Sequence, residues 1–353
     1  MLENQLSRYG SISKDVPFTR LGPTGKVFFA VHPYAQHLSS SDTGALAPWV
    51  ATVMHEFPVD KDGVARMHST IQAAVLATTD GRGDMVLVGP GKWKEEVYIV
   101  SKRNLKIFGT GGATGDAMCY FRAGDASTHY AFTTKLGTVT SGAAFSVLSK
   151  GVEISGFYFD GGGNYAGIYA GGGLNGCATG YGGTVYTSEN ASGLYVHDCF
   201  FRGGNEGTIG LYLNGPRFGV RIERNYFERW NGSAIELDAG NANTENAVIT
   251  NNYFAAGSGD YGIRFYGEAN IKTTIIGPNN VFADGVSAAF TAGINIPAGA
   301  TGVTSVVGNY FPCAVGMVLT TADYTAGNTL GVAGSATHGS NYYITCAAGG
   351  SNA

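Results

Sequence analysis

One short pattern returns at nearly constant spacing through the middle of this chain. It runs from an apolar strand residue to an asparagine, followed by one residue and a phenylalanine. The clearest copies are VRIERNYF at 220–227, AVITNNYF at 247–254, IGPNNVF at 276–282 and TSVVGNYF at 304–311. Looser copies stand at 152–159 and 194–201. From Phe201 onward the closing phenylalanines follow at intervals of 26, 27, 28 and 29 residues, a period that predicts a solenoid.

A second apolar run follows each phenylalanine after a short loop. It begins with a small residue and then alternates, as in GLYLN from Gly210, AIELD from Ala234 and GIRFY from Gly262. Alternation with period two predicts strands, and strands this short cannot enclose a core alone. The chain has 55 glycines and only 10 prolines without a collagen period, which indicates that glycine serves the turns. We therefore expect the strands to stack, coil upon coil.

Two columns of identical residues are expected inside the stack. Coils lie ~4.8 Å apart, so matching side chains fall above one another and amides can form a hydrogen-bonded ladder. The predicted columns are Asn225, Asn252, Asn280 and Asn309, with Phe201, Phe227, Phe254, Phe282 and Phe311 beside them. An inward asparagine ladder beside a phenylalanine stack resembles the right-handed, single-stranded parallel β-helix of pectate lyases, pectin methylesterases and phage tailspikes. The alternative is a Greek-key sandwich whose strand spacing is coincidental.

The resemblance implies an all-β chain with a β-helix over residues 66–320. Residues 1–65 lack the repeat and have too little apolar pattern to fold alone. We expect them to form an extended arm that becomes ordered on another surface, or else a flap over the first coil. Residues 321–353 hold at most one degenerate coil and are expected to form a C-terminal cap or tail, or to pair with a neighbouring chain.

One short helix is predicted at the start of the β-helix. Ser69 is the expected N-cap of a capping box, with Gln72 reaching back to it, and Ile71 and Val75 share an apolar face. The helix should end near Thr78. The passage 70–111 resembles the opening of pectin methylesterases and many tailspikes, in which such a helix covers the open end of the stack.

The best catalytic candidate is the trio Glu236, Asp238 and Arg264. Glu236 and Asp238 share one face of a strand, and aligning successive strands places Glu236 one coil from Arg264. A fourth charged residue, Glu268, lies a little further on. Glycoside hydrolysis needs two carboxylates about 5 to 9.5 Å apart, one of them with a raised pKa. The simpler interpretation is an outward ion pair between Glu236 and Arg264 on adjacent strands.

The motifs of the enzymes that the chain resembles are missing. Polygalacturonase-like chains carry Asn-Thr-Asp, Asp-Asp, Gly-His-Gly and Arg-Ile-Lys, and none of these occurs here. In place of the paired aspartate and downstream arginine of pectin methylesterases, the coils read GVEISGFYFDGGG and GTIGLYLNGPRFG. The resemblance therefore implies the fold without the chemistry, and we expect no catalytic residues and no cofactor.

Other polar motifs give weaker signals. We interpret His197 and Asp198 as a surface pair, and the acidic run at Asp60 and Asp62 lacks the remaining ligands of a calcium loop. The glycine-rich GTGGATGD at 109–116 has neither a following helix nor a P-loop lysine. Five cysteines without C-x-x-C spacing indicate free, mostly buried thiols: Cys119, Cys177, Cys199, Cys313 and Cys346.

Composition excludes several classes of partner. The net charge of −4 and a charged fraction of 14% leave no basic footprint for nucleic acid. There is no apolar run of about eighteen residues and no signal-peptide pattern at the N-terminus, so we expect no membrane partner and synthesis in a cytoplasm.

An insertion at 171–192 interrupts the period of the repeat. It is either a recognition loop or a loop without function.

A long arm followed by a β-helix without catalytic motifs suits a virion component. The passages 8–29, 57–75 and 81–91 resemble the N-terminal module of virion proteins of tailed phages, in particular capsid decoration, or cement, proteins. The resemblance covers about the first ninety residues. It implies a homotrimer at the capsid surface, with the arm on the major capsid protein and the β-helix pointing outward. Tyr195, Tyr212 and Tyr266 are the expected interface anchors.

Two other functions stay open from the sequence. The chain could be a tailspike that binds or depolymerises a host surface polysaccharide through the 171–192 insertion and the Glu236 face. It could also be a secreted, pectinase-like bacterial enzyme, an interpretation that the missing motifs disfavour.

Overall fold

The fold is a right-handed parallel β-helix, which confirms the predicted class. The computed structural model describes residues 25–30, 65–89, 91–93, 97–109, 119–122, 143–160, 166–171, 190–203, 209–230, 232–238, 244–256, 261–266, 271–283, 289–296, 304–313, 317–319, 324–326 and 329–330. Within these ranges every strand pairing is parallel, and the strands form three long sheets and one short one. Each coil passes from sheet I through sheet II to sheet III.

Sheet I has eleven strands, which are, in stacking order, Met67–His68, Val27–Ala30, Met85–Val88, Lys106–Gly109, Glu153–Ser155, Tyr195–His197, Arg221–Glu223, Val248–Thr250, Thr274–Ile276, Thr304–Val307 and Tyr324–Ala326. Sheet II has nine strands, which are Gly91–Trp93, Cys119–Arg122, Tyr158–Asp160, Phe200–Arg202, Tyr226–Glu228, Tyr253–Ala255, Val281–Ala283, Tyr310–Phe311 and Thr329–Leu330.

Sheet III has eight strands, which are Val97–Val100, Ala143–Leu148, Ala166–Gly171, Ile209–Asn214, Ser233–Asp238, Tyr261–Tyr266, Ala292–Ile296 and Met317–Leu319. The short sheet IV joins Arg217–Phe218, Thr244–Glu245 and Ile271–Lys272. Sheets I and II thus continue past residue 320, where the sequence predicted a cap or tail. The insertion at 171–192 lies mostly outside the described residues.

The phenylalanine column runs along the inside of sheet II. From Phe159 to Phe311 each of the six repeat phenylalanines is fully buried, and neighbouring rings stack with centroids 4.6 to 5.1 Å apart. The small residue that opens each sheet III strand makes room for this column. A Cβ on Gly262 would lie 2.6 Å from a ring carbon of Phe282, so only glycine fits there.

The asparagine ladder lies at the bend between sheets I and II. Each amide donates to the next one along the stack, over 3.1 Å from Asn225 to Asn252, 3.1 Å from Asn252 to Asn280 and 2.9 Å from Asn280 to Asn309. Residues just before the ladder position adopt a left-handed φ, such as 54° at Arg224 and 56° at Asn251. The bend therefore leaves backbone groups unpaired between the sheets, and the ladder amides satisfy them.

Cys199 continues the ladder column one coil before Asn225. Its backbone N–H donates to Asn225 Oδ1 over 3.0 Å, as the N–H of Asn225 does to Asn252. Its sulfur lies 4.0 Å from the Ile154 carbonyl oxygen. The sulfur thus occupies the position that the amide nitrogen of an asparagine occupies in later coils. Cys199 and Cys313 are both buried thiols, as expected for these two cysteines.

One helix, α1 at Ile71–Ala77, lies against the first coils, with Ile71, Ala74 and Val75 buried. The predicted N-cap was wrong by one residue: Thr70, not Ser69, accepts from the Ala73 N–H over 3.0 Å. Gln72 does not close a capping box, because its side chain pairs with the backbone of Tyr98 in the first strand of sheet III. That pairing covers an edge strand, which is what a capping helix is needed for.

Part of the predicted arm belongs to sheet I. Val27–Ala30 pairs in register with Met85–Val88 on one side and with Met67–His68 on the other. For these four residues the flap over the first coil describes the structure better than a free arm. The other residues of the predicted arm, 1–24 and 31–64, lie outside the described part of the chain.

Replacing Asn252 with alanine should destabilise the fold by about 3 kcal/mol. The Asn252 side chain accepts from the Asn225 backbone and amide, and donates to Ile222 O and Asn280 Oδ1, all within 3.1 Å. Alanine leaves these buried groups without partners. Chemical denaturation measures the loss, with Thr250→Ala on the outer face as a control expected to cost under about 0.5 kcal/mol.

A substitution that extends the ladder, Cys199→Asn, should leave the free energy of unfolding unchanged or raise it. Cys199→Ala should lower it. If Asn252→Ala cost no more than Thr250→Ala, the ladder would not be a source of stability.

Candidate functional site

The outer face of sheet III carries the predicted catalytic trio. In the strand Ile209–Asn214, Leu211 and Leu213 lie in the core, so Tyr212 and Asn214 point outward. The next strands repeat this alternation, which produces two outward columns. The first column is Tyr212, Glu236 and Arg264, and the second is Asn214, Asp238 and Tyr266. We refer to these six residues as the sheet III site.

Glu236 lies at the centre of the sheet III site and is only 7% exposed. One of its carboxylate oxygens accepts from Ser233 Oγ over 3.1 Å and lies 3.9 Å from Arg264 Nη1. Burial raises the pKa of Glu236, the charge of Asp238 adds to this, and Arg264 and Ser233 offset it in part. The carboxyl therefore holds its proton to a higher pH than an ordinary glutamate does.

Asp238 has a different environment from Glu236. Tyr212 donates its hydroxyl proton to Asp238 Oδ2 over 2.5 Å, which ties the two rungs together. Tyr212 is 8% exposed, so its expected role as an exposed interface anchor is wrong: it belongs to a small buried apolar cluster that also contains Ile209 and Leu148.

Arg264 is held between two aromatic rings. Its guanidinium carbon lies 5.1 Å from the centroid of the Tyr261 ring and 4.9 Å from that of Tyr266. Tyr266 is 53% exposed and forms the open side of the sheet III site. The aromatic contacts position the guanidinium group, and its distance to the Glu236 carboxylate is near the upper limit for an ion pair.

The structure thus brings Glu236, Asp238 and Arg264 together, as strand alignment predicted. The expected ion pair is present at 3.9 Å, but Glu236 is buried, not placed on a solvated outer face. Sequence reasoning did not assign Asn214 to this site and interpreted Tyr212 as an interface anchor instead, although both stand at outward positions of the same repeat. Glu268 lies outside the described residues.

A second polar cluster covers the outer face of sheet I. His197 is bonded through Nδ1 to Asp198 Oδ2 at 2.6 Å and through Nε2 to Glu153 Oε1 at 3.1 Å. Arg224 binds Asp198 at 2.9 and 3.0 Å, and it also binds Glu223, which accepts from the Tyr195 hydroxyl. We call these six residues the His197 cluster; sequence reasoning interpreted its central pair as an ordinary surface histidine and aspartate.

The charges of the His197 cluster support one another. Burial opposes protonation of His197, but the hydrogen bonds that its ring donates to the carboxylates of Asp198 and Glu153 outweigh burial and raise the pKa of the imidazole. For Asp198, burial is likewise outweighed by His197 and Arg224, which lower its pKa to about 2. The thiol of the adjacent Cys199 cannot act as a nucleophile activated by His197, because burial raises the pKa of the thiol to about 12. The cluster therefore joins three rungs of sheet I by charge pairing.

Neither cluster forms a metal centre. Among the described residues, no group of three or more histidine, cysteine, aspartate or glutamate side chains is placed to hold a metal ion. The same part of the chain contains no helix that is long and apolar enough to cross a membrane.

The fold is similar to that of several solved proteins at low sequence identity. Pectin methylesterase from carrot is 13% identical over 81% of this chain and 84% of its own, with a TM-score of 0.49. The catalytic unit of a GH87 α-1,3-glucanase from Streptomyces thermodiastaticus is 14% identical over 73% of this chain, with a TM-score of 0.44. ORF18 of Geobacillus virus E2 is 17% identical over 82% of this chain and 62% of its own, with a TM-score of 0.35.

The chain spans about half the length of the glucanase unit, 51%. No protein-family model matches it, and no curated protein matches it either. The similarities concern the fold alone.

Replacing Glu236 with glutamine should stabilise the protein increasingly as the pH rises. A carboxyl with a raised pKa in the folded state costs stability as pH increases from the usual value of 4.5 through the raised one. Glutamine keeps the acceptor for Ser233 and removes that cost. Urea unfolding at about pH 4 and about pH 8 should give a larger gain at the higher pH.

The control for Glu236 is Glu223→Gln. Its effect should have the opposite sign, because burial of Glu223 is outweighed by Tyr195 and Arg224, which lower its pKa. Equal effects of Glu236→Gln at both pH values would contradict the raised pKa of Glu236.

His197 should stabilise the fold most at low pH. Its folded-state pKa lies above the usual 6.5, so its contribution is complete below 6.5 and is lost as pH rises through the raised value. The difference in unfolding free energy between wild type and His197→Gln should therefore shrink from about pH 6 to about pH 8.5.

His68 provides the opposite case to His197. Burial lowers the pKa of His68, so the difference between wild type and His68→Gln should grow over the same pH range. Parallel curves for the two histidine variants would argue against the charge pairing of His197.

Proposed function

We propose that this chain is a structural component of a tailed-phage virion: a trimeric capsid decoration protein, made in the host cytoplasm. Its N-terminal arm would hold the major capsid protein, and its β-helix would point away from the capsid surface. The observation that carries this proposal is the unbroken internal stack. Six buried phenylalanines and four laddered amides support the coils from within, as a rigid projecting rod requires.

An outer aromatic column of sheet II supports the trimer. Tyr158, Phe200, Tyr226 and Tyr253 stack with ring centroids 4.7 to 4.9 Å apart. The column becomes more exposed along the stack, to 38% at Tyr253, and Tyr310 further on is 43% exposed. Because the rings cover one another's faces, they offer edges and hydroxyls, which suit packing against a second copy of the chain.

Cryo-electron microscopy of the virion tests this assignment. We expect density for three copies around a threefold axis on the capsid shell, with the N-terminal residues against the major capsid protein. Density confined to the tail would refute the decoration role. In solution, Tyr253→Glu together with Tyr310→Glu should shift the mass measured by light scattering from trimer to monomer, whereas Thr250→Glu should not.

A second candidate function is binding or depolymerisation of a host surface glycan, and one observation favours it. Glu236 has a raised pKa and stands on the same face as Asp238 and the exposed Tyr266, and glycoside hydrolysis requires a pair of carboxyl groups of which one has a raised pKa. Incubation with host polysaccharide tests this function. Reducing ends should be released by the wild type and not by Glu236→Gln, while His197→Gln should leave the release unchanged.

A further inference from the structure

A buried amide of the sheet III site has an unmet hydrogen bond. Asn214 is 8% exposed, and its side-chain oxygen has no hydrogen-bond partner. It stands on the same outward face as Tyr212 and pairs in register with Asp238 on the next rung. A buried acceptor without a donor costs about 1 to 3 kcal/mol, so the unpaired Asn214 oxygen on this outer face indicates a site for a donor from outside the chain.

We propose that the sheet III site binds an uncharged, hydroxyl-rich saccharide and that Asn214 accepts a hydrogen bond from one of its hydroxyl groups. This inference rests on the glycan-binding function proposed above and names its ligand class. Asn214, Asp238 and Tyr266 follow one another on three successive rungs, ~4.8 Å apart. They form a short row, which we call the track, along which neighbouring hydroxyl groups of the saccharide would meet an amide oxygen, a carboxylate and a phenol.

The open end of this track suits a sugar ring. Tyr266 is 53% exposed and rigidly placed, because the Arg264 guanidinium stacks on its ring 4.9 Å from the centroid. The C–H face of a pyranose is apolar and its edge is hydroxylated. A ring that lies against Tyr266 can therefore present its edge to Asp238 and Asn214.

The charges of the face exclude an acidic sugar. Glu236 and Asp238 occupy the middle of the site, and a uronate carboxylate there would meet like charge. Among the described strand residues of this face, Arg264 is the single cation, and it is engaged by Glu236 and two tyrosine rings. A neutral sugar avoids this repulsion and still supplies the donor that Asn214 needs.

An array of immobilised oligosaccharides tests the ligand class directly. It should include neutral hexoses, N-acetylhexosamines and uronates, and the labelled full-length protein should be retained on neutral members only. Calorimetric titration with the best neutral oligosaccharide should then show that Asn214→Leu weakens binding about tenfold or more. Thr250→Leu, on the outer face of sheet I, is the matched control and should not change affinity.

A charge variant of the same site makes the test sharper. Glu236→Gln with Asp238→Asn keeps the hydrogen-bond acceptors for Ser233 and Tyr212 and removes both negative charges. This double variant should gain retention on uronates. Because it does not alter Asn214, it also tests the site if Asn214→Leu fails to fold, which circular dichroism would reveal.

The possible failures are distinguishable. Retention on uronates alone by the wild type would overturn the neutral ligand class and leave glycan binding intact. No retention on any member would overturn both this inference and the glycan-binding function. Retention that Asn214→Leu and the double variant leave unchanged would place the ligand elsewhere on the chain. None of these outcomes bears on the decoration role.

Discussion

The whole structure depends on the repeat distance between coils. Parallel strands lie ~4.8 Å apart, and this distance both suits the stacking of aromatic rings and lets amide side chains at equivalent positions of adjacent coils hydrogen-bond to one another. A phenylalanine therefore gains a stacking partner when the residue one coil away is also aromatic, and an asparagine side chain gains an amide partner when that residue is also an asparagine. Ring centroids of 4.6 to 5.1 Å and amide contacts of 2.9 to 3.1 Å show both columns meeting this condition.

That condition explains what the sequence alone could predict. Both internal columns recur at matched positions, so their residues and the sheet to which each strand belongs follow from the repeat alone. The same logic placed Glu236 beside Arg264, since neighbouring rungs bring equivalent positions together. Periodicity therefore predicts which residues meet, both inside the stack and on its outer faces.

Periodicity does not predict how deeply an outer residue is buried. Tyr212 and Glu236 occupy outward positions yet are only 8% and 7% exposed, and each is hydrogen-bonded to a neighbouring side chain, Tyr212 to Asp238 and Glu236 to Ser233. The N-cap was wrong for a related reason. Gln72 is drawn to the open edge at Tyr98, a contact 26 residues away that no local capping rule contains. The first strand at Val27–Ala30 likewise joins the stack without carrying the repeat.

The outer faces of sheets I and III use charge in opposite ways. In the His197 cluster, Asp198 is ionised down to about pH 2 and the imidazole keeps its proton above the usual range, so the pair is complete between these limits. Asp198 loses its contribution as pH falls towards 2, and His197 loses its own as pH rises through its raised pKa. On sheet III, Glu236 becomes costly as soon as it ionises. A charge network that stabilises the rod on sheet I thus contrasts with the outer face of sheet III, where burial works against charge and the Asn214 side-chain oxygen has no hydrogen-bond partner.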